Sequence, residues 1–299
     1  MITNESKEFF CIDASKYDAT KQFQVVRPAS LSNPKNNAVL FVTEGFLKYW
    51  EATLTVEECI VIWPENHPVP EELSKKHAVI LSKEPRYGFA KFFHENHVTY
   101  NAMPKPYQLI NGAMICEGAE IGEETVIFPG AYVDSDVRIG KHCYIASGVR
   151  IVGSVQIGDD CIIRENTVIG SDGLTTRRNE EGKIITIPQF GGVVIENDVQ
   201  IGANSVVCKG AIDNTIIKSG SRIDNCCFIS HNVQIGQNTL IVGEVLMMGS
   251  SSTGERAYLS GNVVVRDGVS VGNDAFVGMG SVVTKNVPAG VTVKGSPAR

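Results

Sequence analysis

No stretch of this 299-residue sequence approaches the roughly 18 apolar residues needed to span a bilayer, so membrane insertion is not expected. The opening MITNESKEFF lacks the basic segment and apolar run of a signal peptide, and the expectation is a soluble, cytoplasmic protein. Positive charge is not in excess: 27 Lys and Arg stand against 33 Asp and Glu, a net charge of −6, with the cations scattered among carboxylates. That balance argues against a nucleic-acid partner and leaves any bound anion to a local pocket. The eight cysteines show no metal or redox spacing such as C-x-x-C, so no metal site is expected.

What the sequence does contain is a period of six. From Ile115 every sixth residue is Ile or Val through Ile121, Ile127, Val133, Ile139, Ile145, Ile151, Ile157, Ile163 and Ile169. The register resumes at Ile195, Ile201 and Val207, then runs from Ile217 to Val283 with Thr253 as its one polar member. A residue two places earlier is small or β-branched, as at Ala119, Thr125, Ala131 and Ser221, and Gly often follows. Cys143, Cys161 and Cys227 occupy that small position and read as buried, reduced thiols. Helices repeat at 3.6 and plain strands at 2, whereas a short strand plus a tight turn repeats at six. Three such units close an 18-residue coil, and stacked coils bury one continuous core.

The reading is therefore a mainly β chain: a parallel β-helix over 113–299, a linker over 101–112, and a small α/β domain over 1–100. The α/β domain is read from strand-like FQVV, AVLFV, CIVIW and HAVIL alternating with helix-like GFLKYWEATL, PEELSKK and PRYGFAKFFHENH. The repeat fails near 171–192, which reads as a loop expelled from the β-helix, and slips again at CKGAIDNT. A stiff scaffold carrying an irregular loop is where binding residues tend to sit.

The runs IGSDGL, EGKIITIPQFGGVVI, VQIGANSVV and SRIDNCCFISHNVQIG resemble the UDP-3-O-(3-hydroxyacyl)glucosamine N-acyltransferases of lipid A synthesis. The likeness covers most of 110–250, and AVLFVTEGFLKYW with EPRYGFAKFF is similar to that family's uridine-binding domain. It implies a left-handed helix, a homotrimer with sites between subunits, His231 as general base, Gly249 as oxyanion donor and Asn225 as a substrate-orienting residue. The chemistry agrees for His231, because acyl transfer to nitrogen needs a base that titrates near neutrality. Gly249 follows it by 18 residues, one full coil, and should stack beside it. Phe41 falls where the family stacks an aromatic on uracil; Glu244 and Asn232 join it as substrate-binding candidates, Glu244 as an anchor for a sugar ammonium.

The sequence also departs from that family. The stretch LSGNVVVRDGVSVG lacks the family's second functional histidine, and GMGSVVTKNVPAGVTVKGSPAR resembles the end of acetyl-CoA-dependent hexapeptide acetyltransferases. The first expectation is thus an N-acyltransferase using acyl-CoA on a nucleotide-linked amino sugar of a surface polysaccharide, with Lys285, Lys294 and Arg299 near the CoA phosphates and no permanently bound cofactor. The second is the lipid A enzyme itself, using acyl carrier protein. A third is a non-catalytic β-helix that serves as a trimerisation scaffold. A γ-type carbonic anhydrase is disfavoured, since only His142 and His231 lie in the repeats and three histidines are needed around zinc.

Overall fold

The computed structural model describes residues 7–98, 105–179 and 181–299. It divides into two compact units: Met1–Ala102 with Leu174–Phe190, and Met103–Gly173 with Gly191–Arg299.

In the first unit four parallel strands lie in sequential order: β1 (Arg27–Pro28), β2 (Ala38–Phe41), β3 (Ile60–Pro64) and β4 (Ala78–Ser82). Alternation sorts their side chains. Leu40, Val42, Val61 and Trp63 share one core with Leu73 of helix α1 (Glu71–Lys76), while Phe89 and Phe93 of helix α2 (Pro85–Glu95) are buried too. Glu84 caps α2 by accepting the Arg86 and Tyr87 N–H groups, and Pro85 occupies its first turn. The segment expected to be helical at GFLKYWEATL forms 3-10 turns over Glu44–Thr55. The expelled loop is not loose: Thr176–Arg178 and Ile184–Thr186 pair as an antiparallel hairpin that packs on α2. Leu174–Phe190 therefore belongs to this unit, whereas the sequence reading kept the looped-out segment within the 113–299 domain.

The second unit is a three-sided parallel β-helix. Each inward residue pairs with the one a coil away, as in Val133↔Ile151 and Ile145↔Ile163. The expelled loop leaves this register intact, because Ile157↔Ile195, Ile163↔Ile201 and Ile169↔Val207 still pair across it. We name the sheets by their first inward strand: A from Ala113–Cys116, B from Glu120–Ile121 and C from Val126–Ile127. The inward Ile and Val residues form one buried core, and each fully buried side chain contributes about 1.5–3 kcal/mol. Cys143, Cys161 and Cys227 are free and buried, and burial pushes the Cys227 thiol up to about 11. Thr253 is buried because its Oγ1 accepts the Gly236 N–H at 3.0 Å and lies 3.3 Å from Thr239 Oγ1.

The first part of the expected linker, 101–104, lies outside the described residues. Its last part is not irregular: Tyr107–Ile110 runs antiparallel to Ala113–Cys116 through an Asn111-Gly112 turn at φ 49° and 80°. Among the described residues no helix is long and apolar enough to cross a membrane.

Candidate active site

Irregular backbone collects on one edge of the β-helix, where sheet A turns into sheet B. The expelled loop leaves after Val168–Ser171 of sheet A and rejoins at Val193–Ile195 of sheet B; the CKGAIDNT bulge lies between Val206–Cys208 and Thr215–Ile217 of the same two sheets. His231, one coil further on, follows Phe228–Ile229 of sheet A on that edge.

The imidazole is held between two glycines. A Cβ on Gly249 would lie 2.5 Å from His231 Cε1 and 2.7 Å from Nε2, and one on Gly173 would lie 2.9 Å from His231 Cβ. Neither space admits a side chain while the ring stays in place. The Ser250 N–H donates to the His231 carbonyl at 2.9 Å, confirming that Gly249 stacks one coil above, as its spacing of 18 predicts. Among the described residues the Gly249 N–H has no acceptor, which leaves it available to an oxyanion.

Asn232 sets the tautomer of His231. Its Oδ1 accepts the Ala211 N–H at 3.0 Å and its Nδ2 donates to the Asp213 carbonyl at 3.2 Å, which fixes the amide orientation. His231 Nδ1, 3.2 Å from that oxygen, must donate to it. Nε2 then carries the free lone pair, and Nε2 is the atom over Gly249. On the same coils the largely buried Lys209 ammonium pairs at 2.6 Å with the exposed carboxylate of Asp172.

The other predicted residues are distributed as follows. Asn225 and Glu244 lie on the opposite margin of sheet A, the edge shared with sheet C, and the Glu244 N–H donates to the Asn225 carbonyl at 3.1 Å. Asn225 Oδ1 accepts the Ala203 N–H at 2.7 Å, a turn-stabilising bond between coils. Lys285 shares the His231 edge, whereas Lys294 stacks on Gly278 at the Asn225 edge; Arg299 exchanges backbone hydrogen bonds with Lys294. All three cations are exposed. Phe41, in the other unit, packs 4.8 Å from Phe89, with the Arg86 guanidinium 5.9 Å from its ring. His142 lies between two carboxylates, Asp160 at 3.3 Å and Glu124 at 3.6 Å, each 18 residues away. Gly173 and the orienting role of Asn232 escape sequence reasoning. The expelled loop breaks the spacing for Gly173, and the role of Asn232 depends on which atoms its amide meets.

Models of the bacterial transferase hexapeptide (six repeats) match residues 118–153 and 136–171, and a model of the hexapeptide repeat of succinyl-transferase matches 252–285. Over 199 residues the chain is 42% identical to a UDP-3-O-acylglucosamine N-acyltransferase of Helicobacter hepaticus, covering 67% of this chain and 61% of that protein. A protein of the same name from Caulobacter is 37% identical over 137 residues, 46% of this chain and 40% of its own length. Each of these matches spans less than two-thirds of the relative. Among solved structures, a UDP-N-acetylglucosamine acyltransferase from Campylobacter jejuni aligns with a TM-score of 0.56 at 24% identity, over 64% of this chain and 73% of that one. An Arabidopsis counterpart gives 0.55 at 21%, over the same shares. Their likeness fixes the fold as a left-handed parallel β-helix. The chain thus carries hexapeptide repeats over 118–171 and 252–285, and over 67% of its length its sequence is similar to a UDP-3-O-acylglucosamine N-acyltransferase.

Proposed function

We propose that this chain is an N-acyltransferase that moves an acyl group from a thioester to the amine of a UDP-linked 3-O-acylglucosamine, with His231 as general base. The observation that carries this is the His231 imidazole, clamped between Gly173 and Gly249 with Nδ1 tied to Asn232 and Nε2 free. As the amine nitrogen attacks the thioester carbonyl, Nε2 takes its proton and the Gly249 N–H donates to the oxyanion. Collapse breaks the C–S bond, and the thiolate recovers a proton from the imidazolium.

The named relatives support this reading over the first sequence expectation, acyl-CoA transfer to a surface-polysaccharide sugar. With the lipid A resemblance, they favour an acyl carrier protein thioester as donor. We further read the protein as a homotrimer with His231 at a boundary between chains.

Steady-state assays with acetyl-CoA, 3-hydroxybutyryl-CoA and 3-hydroxymyristoyl carrier protein as donors to one UDP-amino sugar test the donor. Turnover is expected with the carrier protein; turnover with CoA thioesters alone returns the first expectation. His231→Ala is expected to lower kcat by about 10²–10⁴ with little change in KM, because a base acts in the transition state. Unchanged kcat in the folded variant removes His231 from this role.

A further inference from the structure

The same arithmetic that stacks Gly249 on His231 stacks one more residue on Gly249. Val265 pairs with Met247, so Asp267 occupies the sheet A to sheet B edge one coil above Gly249, and the Gly268 N–H donates to the Gly249 carbonyl at 3.0 Å. Gly249 has no side chain to separate its neighbours. The point where its Cβ would stand lies 2.7 Å from His231 Nε2 and 3.2 Å from Asp267 Oδ1. The two atoms are therefore within about 6 Å of each other, a gap that one polar atom bridges with two hydrogen bonds of about 2.9 Å. Among the described residues the Asp267 carboxylate has no hydrogen-bond or ion-pair partner, and it is exposed.

We propose that Asp267 binds the acceptor amine beside His231 and makes the site selective for nitrogen over oxygen. This assignment rests on the acyl-transfer reading above. A neutral primary amine carries two N–H groups and one lone pair. With one N–H directed at His231 Nε2 and the other at Asp267 Oδ1, the lone pair is left for the thioester carbonyl. As the N–C bond forms, nitrogen becomes cationic, and a carboxylate beside it stabilises that charge. His231 then removes one proton, the C–S bond breaks, and the leaving thiolate takes the proton from the imidazolium. A hydroxyl acceptor has a single O–H, which His231 uses, so it presents Asp267 with lone pairs instead of a donor. The carboxylate thus favours an amine and repels a hydroxyl.

The test compares wild type, Asp267→Asn and Asp267→Ala on the UDP-amino sugar and on a matched UDP-sugar with a hydroxyl in place of the amine. Both variants are expected to fold as wild type by circular dichroism, since an exposed turn residue is changed. For the amine acceptor, kcat/KM is expected to fall about 10–100-fold in Asp267→Ala and less in Asp267→Asn, which keeps the acceptor oxygen. For the hydroxyl acceptor, turnover is expected to stay level or rise, so the amine-to-hydroxyl ratio collapses. Equal losses on both acceptors, or no loss on either, overturn the assignment while leaving the acyl-transfer reading standing. Wild-type protein that acylates no amine acceptor overturns that reading and this assignment together.

Discussion

At the scale of single residues, the site is defined as much by missing side chains as by present ones. His231 occupies the volume that a Cβ on Gly249 would need, and neither Gly173 nor Gly249 is held at positive φ, so their value here is space. Gly249→Ala is accordingly expected to keep the fold, displace the imidazole and lower kcat by about 10²-fold, because a small misplacement of a catalytic group is costly. Gly261→Ala is the matched control: its nearest neighbour atom is 3.5 Å from the new Cβ, and it lies on the Asn225 edge. Purified variants compared by kcat and thermal melting check this, and equal turnover in both shows that the ring is not held by Gly249. His231 was legible through the resemblance carried by its ISHN motif, and the position of Gly249 beside it because a spacing of 18 means adjacency in this fold. That rule fails across an insertion, which hid Gly173, and it says nothing of amide orientation, which hid the role of Asn232.

At the scale of elements, the period of six made the β-helix legible because each coil repeats one steric solution. Segments without that period were legible only as strand-like or helix-like. The hairpin at 176–186 satisfies its backbone locally and packs on α2, so no periodicity in the sequence announces where it goes. The 3-10 turns of Glu44–Thr55 depend on a residue far along the chain. His77 is buried, its Nδ1 accepts the Cys59 N–H at 3.2 Å, and its Nε2 donates to the Thr53 carbonyl at 2.9 Å, tying the end of those turns to the start of β3. Burial holds this imidazole below its ordinary pKa of 6.5. The unfolded chain therefore takes up a proton near pH 6.5 that the folded chain refuses, so stability is present above that pH and is lost as pH falls through the lower folded value. Thermal melts between pH 7.5 and 5 are expected to show this fall. His77→Gln is expected to melt lower at pH 7.5 and to depend less on pH; an unchanged slope points to other groups.

At the scale of the whole molecule, sheets A and B of the β-helix differ in character, and the difference bears on assembly. Outward positions of sheet B carry Glu120, Arg138, Gln156, Gln234, Ser252 and Ser270, suited to water, with Val194 and Ile216 as the apolar members of the row. Sheet A, in the coils around His231, instead presents Val206, Phe228, Leu246, Val264 and Val282, with Met248 exposed at the turn beyond Leu246. A contiguous apolar strip of this kind marks an interaction surface. It runs between the two margins that carry His231 with Gly249 and Asn225 with Glu244, so a neighbouring chain packed there meets the candidate site directly. A closed ring of three chains would use this face in each protomer and leave none unpaired. The proposed trimer therefore predicts that Leu246→Glu combined with Val264→Glu yields monomers by light scattering at micromolar concentration. Each inward neighbour, Met247 and Val265, is untouched, so circular dichroism is expected to stay that of the wild type. Turnover is expected to fall together with the trimer mass, and to fall without any change to His231 itself. A wild-type chain that is monomeric at the same concentration, or a double variant that still scatters as a trimer, overturns the assignment of this face.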